Sequence, residues 1–285
     1  MFVLPLFSYK RATTTKPAEE RCEIFITLSP TNTQIPLEEY IIGVVSGEMP
    51  ANFHPEALKA QAIAARTYAI YQTNYGEKPI LQTTTHQVFQ SKEKRQQKWL
   101  ATFAENEEKI TQAVQATANE ILTYNKEPIT AMFHASSNGR TESAQNFSGN
   151  DVPYLQSTTS PEQQASVDEF TLKQLNTKLG TNFTLPQIQA VKMTHNNTKR
   201  VETITIAEKE WTGRDFREAL GLRSTDFTIE LKEGKIQFHT KGYGHGVGMS
   251  QHGANELAKK GEEVYDILSH YYSGTDISKV SCPPK

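Results

Sequence analysis

The stretch Ile35-Pro36-Leu37-Glu38-Glu39-Tyr40-Ile41-Ile42-Gly43-Val44-Val45-Ser46-Gly47-Glu48-Met49-Pro50 reads as one helix. Leu37, Ile41, Val44 and Glu48 follow one another at offsets of four, three and four, which puts them on a single helical face. Pro36 opens the helix and Pro50 stops it. The face is apolar except at Glu48. Burial beside Leu37, Ile41, Val44 and Met49 disfavours the carboxylate anion, and the negative end of the helix dipole opposes it further. Both effects raise the pKa, as a proton donor near neutral pH requires. The alternative is a solvated glutamate at a frayed helix end.

Outward from this helix, Cys22 to Leu28 reads as a strand and Pro55 to about Gln72 as a second helix, rich in alanine. Arg66 is the misfit there, because Ala62, Ile63, Ala69 and Ile70 surround it at helical spacing. It is expected to act as a structural brace or a substrate contact, with Glu48 as one candidate partner; the alternative is an arginine whose head reaches solvent. Residues 86–90 look like a short strand, and a helix is expected over about 105–117. Ile121–Tyr124 and Pro128–His134 read as a hairpin around Asn125-Lys126. The turn Ser136-Ser137-Asn138-Gly139-Arg140-Thr141 offers hydroxyls and an amide suited to a sugar or peptide, or is an ordinary polar turn.

The second informative stretch is Gly242-Tyr243-Gly244-His245-Gly246-Val247-Gly248-Met249-Ser250-Gln251. It is neither a P-loop nor a dinucleotide fingerprint. Its alternating glycines allow close backbone approach around His245, and Ser250 is placed to cap a following helix. The bland alternative is a glycine-rich bend. The composition changes between 158 and 238, where a helix over 171–179, a strand over 201–206, a helix over 212–221 and a hairpin around Glu233-Gly234 suggest an inserted subdomain. The expected organisation is a tail over 1–20, a core over 21–157 and 239–285, and an insertion over 158–238. The expected fold class is α+β, a mixed helix/sheet core with a smaller inserted lobe. A central substrate cleft is expected between Glu48, the Ser136–Arg140 turn and the Gly242–Gly248 loop.

Composition narrows the partners. The chain has 285 residues and a formal net charge of −2, with a mean hydropathy of −0.57. Basic patches interleaved with aromatics are absent from the sequence, so no nucleic-acid partner is expected. Met1 to Phe7 is too short to span a bilayer and reads as a membrane-anchor remnant or a disordered tail. Cys22 and Cys282 are either two unpaired thiols or, after export, a disulfide. Zinc held by His134, His245 and His252 has no support in ligand spacing.

Together, Ile35–Tyr40 with Gly47–Pro50, Glu56–Ala62 with Ala64–Tyr68, Ser136–Gly139 and Gly242–Ala254 resemble, in order and spacing, the stage II sporulation protein D family. The resemblance covers roughly 35–156 and 200–278. It implies a lytic transglycosylase of engulfment that cuts the MurNAc-β-1,4-GlcNAc bond of peptidoglycan strands, preferably peptide-free, leaving 1,6-anhydro ends. Glu48 matches the catalytic glutamate. The resemblance implies substrate contacts from Gln61, Arg66, His134, Ser136, Ser137, Asn138, Arg140, Tyr243, His245, Met249, Ser250 and Gln251. Zinc-binding relatives carry cysteines near the position of His134 and this chain has none there, so no metal or cofactor is expected. The implied partners are an amidase/endopeptidase and a membrane scaffold protein. The implied location is extracytoplasmic, membrane-anchored at the sporulation septum. The competing readings are a non-catalytic wall-binding amidase enhancer and a metal hydrolase.

Overall fold

The computed structural model describes residues 23–83 and 85–280. Cys22, Cys282 and the apolar N-terminal segment lie outside them. Among the described residues no helix is long and apolar enough to cross a membrane. In chain order the helices are α1 Leu37–Glu48, α2 Pro55–Thr73, α3 Lys92–Trp99, α4 Phe103–Ala116, α5 Ala144–Ser148, α6 Leu172–Leu179, α7 Leu185–Gln189, α8 Gly213–Leu220, α9 Gln251–Lys259 and α10 Val264–Tyr271. Strands form small sheets of two or three members. The fold is mixed α+β.

Helix α2 is the axis of the first hydrophobic cluster and packs against α1, α4, α9, α10 and strand Glu120–Tyr124. Its alanines at 57, 60, 62, 64, 65 and 69 are all buried, and small side chains let these neighbours approach closely. Its start is held twice. His54 accepts from the Glu56 N–H, and the His54 N–H donates to Asn255 Oδ1 of α9 at 2.8 Å. A second cluster is built from residues between Leu175 and Phe238, with Phe216, Phe227 and Phe238 packed ring against ring at centroid distances of 5.8–6.0 Å. Its sheets are Ala165–Phe170/Lys235–Lys241/Asp226–Lys232 and Lys192–His195/Val201–Ile206/Lys209–Thr212.

Several local expectations change. Residues 87–90 form no strand; instead they lie across α1. Ser91 caps a helix, α3, through a charged run to which the sequence assigned no element; that run has no apolar stripe, so periodicity does not mark it. The segment 128–134 is not one strand. Glu127–Pro128 closes a tight hairpin with Glu120–Tyr124, whereas Phe133–His134 runs parallel to Met249–Ser250. This parallel pair carries the His134 segment to the glycine loop.

Two glycines explain how 87–90 docks on α1. A Cβ on Gly43 would sit 2.2 Å from the Phe89 ring, and one on Gly47 would sit 2.4 Å from the Val88 carbonyl oxygen. The two lie one turn apart on the same helical face. Interior glycines cost a helix roughly 1 kcal/mol each relative to alanine, and here they open a groove for backbone. In that groove the Gln90 N–H donates to the Gly43 carbonyl at 3.1 Å. Phe89 stacks on Tyr40 at 5.5 Å. Gly47→Ala should therefore push the Val88 segment off α1, destabilising the fold by about 1–3 kcal/mol. Chemical denaturation checks this, and a Gly47→Ala protein as stable as wild type would show that the segment is not held by this close approach.

Candidate active site around Glu48

Glu48 is the last residue of α1, and the chain leaves the helix at Met49 in an extended conformation. Its Oε1 accepts the Val88 N–H at 2.6 Å. The Gln251 side chain, at the start of α9, lies close enough to act on it. Burial raises the Glu48 pKa above the ordinary carboxylate value, and the Val88 N–H and the Gln251 amide offset part of that rise. Tyr40 and Tyr68 lie close enough for the Glu48 charge to push their hydroxyl pKa values up, in addition to burial. The groups bearing on Glu48 are thus two phenols, one amide side chain and one backbone N–H; none of them is a carboxylate.

Gln61 of α2 is fully buried and accepts from Gln251 Nε2 at 3.3 Å. Its own Nε2 is buried without an acceptor among the described residues. Glu48, Gln61 and Gln251 are therefore assembled from α1, α2 and α9.

The glycine loop and the 136–140 turn form the other side of the assembly. Ser136 and Tyr243 exchange backbone hydrogen bonds at 3.0 and 2.7 Å. His134 Nδ1 lies 3.2 Å from the Val247 carbonyl, and its Nε2 lies 3.4 Å from Ser137 Oγ. Burial holds its pKa well below the imidazole value. The His245 ring sits 5.7 Å from that of His134 and 5.6 Å from Phe147. Burial pushes His245 down to about 4, assisted by the nearby Arg217, Arg200 and Arg214 charges. Both histidines are neutral at physiological pH. His252 stands apart from this pair, its ring 4.9 Å from Phe53. Among the described residues no group of three or more His, Cys, Asp or Glu is arranged to hold a metal.

The glycines of this loop are close-approach positions. A Cβ on Gly248 would sit 2.0 Å from the Met132 carbonyl, and one on Gly246 would sit 2.6 Å from Arg200 Nη2. All four have positive φ.

The remaining predicted residues take different places. Asn138 donates to the Thr198 carbonyl at 2.9 Å and to Asp226 at 2.7 Å, tying the turn to the second cluster's segment. Arg140 is exposed and donates to Ser157 Oγ. Met249 is fully buried in the core. Arg66 is not at the site. It is fully buried and grips Glu38, at the opposite end of α1 from Glu48, with Nε–Oε1 at 2.9 Å and Nη2–Oε2 at 2.6 Å. Ten residues of helix separate Glu38 from Glu48, or about 15 Å. The expectation of Glu48 as its partner is replaced by Glu38, because that pairing supplies a bidentate carboxylate and leaves Glu48 unpaired with a cation.

One buried residue that sequence reasoning passed over organises the two halves. Glu162, on strand Thr159–Gln163, accepts the Ser137 N–H at 2.6 Å and the Ser160 hydroxyl at 2.5 Å, and also the Ser250 hydroxyl. Ser137 and Ser250 share its Oε1. Ser250 in turn caps α9 by accepting the Gly253 N–H at 3.2 Å. Gly253 is needed because a Cβ there would strike Tyr271 OH, Ser160 Oγ and Glu162 Oε2 at 2.1–2.5 Å. The position of Gln251 beside Glu48 thus depends on Glu162. Glu162→Ala strands these donors and should destabilise the protein by about 3 kcal/mol, with Glu162→Gln milder because one acceptor oxygen remains. Urea denaturation of the two variants checks the order, and equal stability of all three proteins would contradict it.

A family model described as "Stage II sporulation protein" matches residues 29–124. Stage II sporulation protein D of Bacillus amyloliquefaciens is 42% identical over 282 residues, covering 93% of this chain and 81% of that protein. The Bacillus subtilis (strain 168) protein of the same name is 41% identical over 296 residues, covering 95% of this chain and 86% of its own length. The amidase enhancer of Bacillus subtilis is 29% identical over 296 residues, 83% of this chain and 40% of that protein. The chain belongs to the stage II sporulation protein D family.

Proposed function

We propose that the protein is a peptidoglycan lytic transglycosylase acting outside the cytoplasm during engulfment, with Glu48 as both acid and base. The observation that carries this reading is a single carboxylate with its pKa raised by burial, oriented by the Val88 N–H and Gln251. A protonated Glu48 donates to the glycosidic oxygen as the bond to C1 of MurNAc breaks. The resulting carboxylate takes the proton from the MurNAc 6-hydroxyl as that oxygen bonds to C1, closing the 1,6-anhydro ring. Protons balance without water, and a single carboxyl group suffices. A hydrolytic glycosidase of the usual kind needs two.

The partners that go with this reading are the amidase/endopeptidase that strips peptides and a membrane scaffold of the same machinery. The relationship to a protein named amidase enhancer supports a second reading, a wall-binding module that stimulates a peptide-cleaving enzyme. Mass spectrometry of peptide-free glycan strands incubated with the protein separates the two. Anhydro-muramoyl ends are expected. Hydrated reducing ends would replace the transglycosylase with a hydrolase, and bound but intact strands would leave the enhancer.

A further inference from the structure

The segment Gln87–Gln90 acts on Glu48 through backbone alone, by the Val88 N–H at 2.6 Å. A backbone donor is only as well placed as the residues on either side of it. On the far side, the Gln90 N–H donates to the Gly43 carbonyl, and the Gln90 carbonyl accepts from Arg95 Nη1 at 2.7 Å. Arg95 is itself fixed by a bidentate pair with Glu107 of α4, at 2.8 and 2.6 Å. On the near side stands Gln87, which is 0% exposed and so out of reach of a bound strand.

The Gln87 amide bridges two helices. Its Oε1 accepts the Tyr40 hydroxyl of α1 at 3.2 Å, and its Nε2 donates to the Ala65 carbonyl of α2 at 3.2 Å. Tyr40 therefore holds both neighbours of Val88, Gln87 through its hydroxyl and Phe89 through the face of its ring. A buried amide is costly unless both its ends are bonded, and a leucine would fill the space without that requirement. What the amide adds is direction, because a hydrogen bond fixes angle and distance where dispersion contacts do not.

We propose that Gln87 is a positioning residue for Glu48: with Tyr40 it clamps the chain on both sides of Val88 and so holds the Val88 N–H on the Glu48 carboxylate. Its role in cleavage rests on the function proposed above; the clamp itself does not. The Val88 N–H favours the Glu48 anion, against burial, which favours the acid. A loosened clamp weakens the first and leaves the second, so the acid form persists to higher pH. Tyr40 of α1 and Tyr68 of α2 are the titratable groups that bear on Glu48, and burial keeps both hydroxyls protonated. Helix α9 contributes the uncharged Gln251, α3 directs Lys98 to the Ser46 carbonyl at 2.9 Å, and α4 spends Glu107 on Arg95.

The test is the titration of Glu48 in the full chain together with a pH–rate profile on peptide-free strands. Carboxyl-carbon NMR follows the titration, with the Glu48 signal assigned by its loss in Glu48→Gln. Gln87→Leu keeps the bulk of the side chain and removes both hydrogen bonds. Its Glu48 should titrate at higher pH than in wild type, and the alkaline limb of cleavage should move with it. Its kcat at neutral pH should fall about tenfold or more, the cost of a misplaced catalytic group, with KM within about twofold of wild type. Tyr40→Phe leaves the ring under Phe89 and removes only the hydroxyl from Gln87, so it reports the same shift if Gln87→Leu folds poorly. A merely structural glutamine would lower Tm and leave the titration and kcat of the folded protein where they are; that result, or a shift to lower pH, would overturn the clamp. Anhydro-muramoyl ends from wild type with an unshifted Glu48 in the variants would sink the clamp and spare the transglycosylase. A shifted Glu48 in a protein that never cleaves would do the reverse.

Discussion

Glu48→Gln is expected to lower strand cleavage by about 10²–10⁴-fold, the range for loss of a general acid, while strand affinity stays within a few-fold of wild type. Glutamine keeps the size of glutamate, and its carbonyl oxygen can still accept the Val88 N–H that Glu48 now receives at 2.6 Å. What it loses is the transferable proton. Stability should move the other way. Burial raises the Glu48 pKa in the folded state, so the protonated form is favoured by folding. That contribution is fully present below the unfolded-state pKa and is lost as pH rises through the higher folded-state value. Wild type therefore carries an unfavourable buried anion once pH has passed the folded-state value. Glu48→Gln should raise Tm there and bring no gain at low pH, where both side chains are uncharged. Activity of the wild type should fall on the alkaline side as the acid form is titrated away. Thermal melts across pH and a pH–rate profile test both halves. A Tm difference that is the same at every pH would mean that Glu48 is solvated, and the acid role would go with it.

Arg66→Ala is the largest expected loss of stability. Arg66 is 0% exposed, and its side chain joins four elements. It makes the bidentate pair with Glu38 on α1, and donates to the Glu120 carbonyl at 3.1 Å and to the Val114 carbonyl at 3.3 Å. Glu38 also accepts the Asn119 N–H at 3.0 Å, which fixes the turn between α4 and the next strand. Truncation removes the guanidinium from the Glu120 carbonyl and leaves Glu38 without its cation, whereas the Val114 carbonyl keeps the Thr117 N–H and hydroxyl. Such a loss typically costs about 3–5 kcal/mol. Because the Glu38 side chain is 31% exposed and regains some hydration, the lower end of that range applies. Against a typical total of about 5–15 kcal/mol, this brings the fold near its limit. Arg66→Lys should recover only part, since an ammonium cannot reproduce the fork. Denaturant midpoints at unchanged m-value are the measurement. If Arg66→Ala is as stable as wild type but binds strands weakly, Arg66 is a substrate contact after all.

These two residues illustrate what is legible in a sequence. Glu48 and Arg66 both stand out as charges within apolar helical stripes, and each is in fact partly or wholly buried. The stripe shows that a charge is unusual; it says nothing about which partner resolves it. Glu38 lies ten positions from Glu48 on the same helix, and only the packing of α2 against α1 decides that Arg66 reaches the former. Glu162 was illegible for a related reason. It sits in a short strand with no apolar periodicity, and its importance comes from Ser137 and Ser250, residues 25 and 88 positions away.

The sequence by itself determined the elements with local causes. Pro36 and Pro50 bound α1, Pro55 starts α2, Gly221 ends α8 in the left-handed conformation, and Glu233-Gly234 turns the hairpin. It also marked Glu48, because an acid at the end of an apolar stripe violates a rule that acts within a few residues. The tertiary structure alone decided the surroundings of that acid: the Val88 N–H brought to it by the segment seated over Gly43 and Gly47, and Gln251 delivered by α9. Capping, turn geometry and helix periodicity are set by neighbours along the chain. Hydrogen bonds and charge pairs between distant segments form only once the core has fixed where those segments meet.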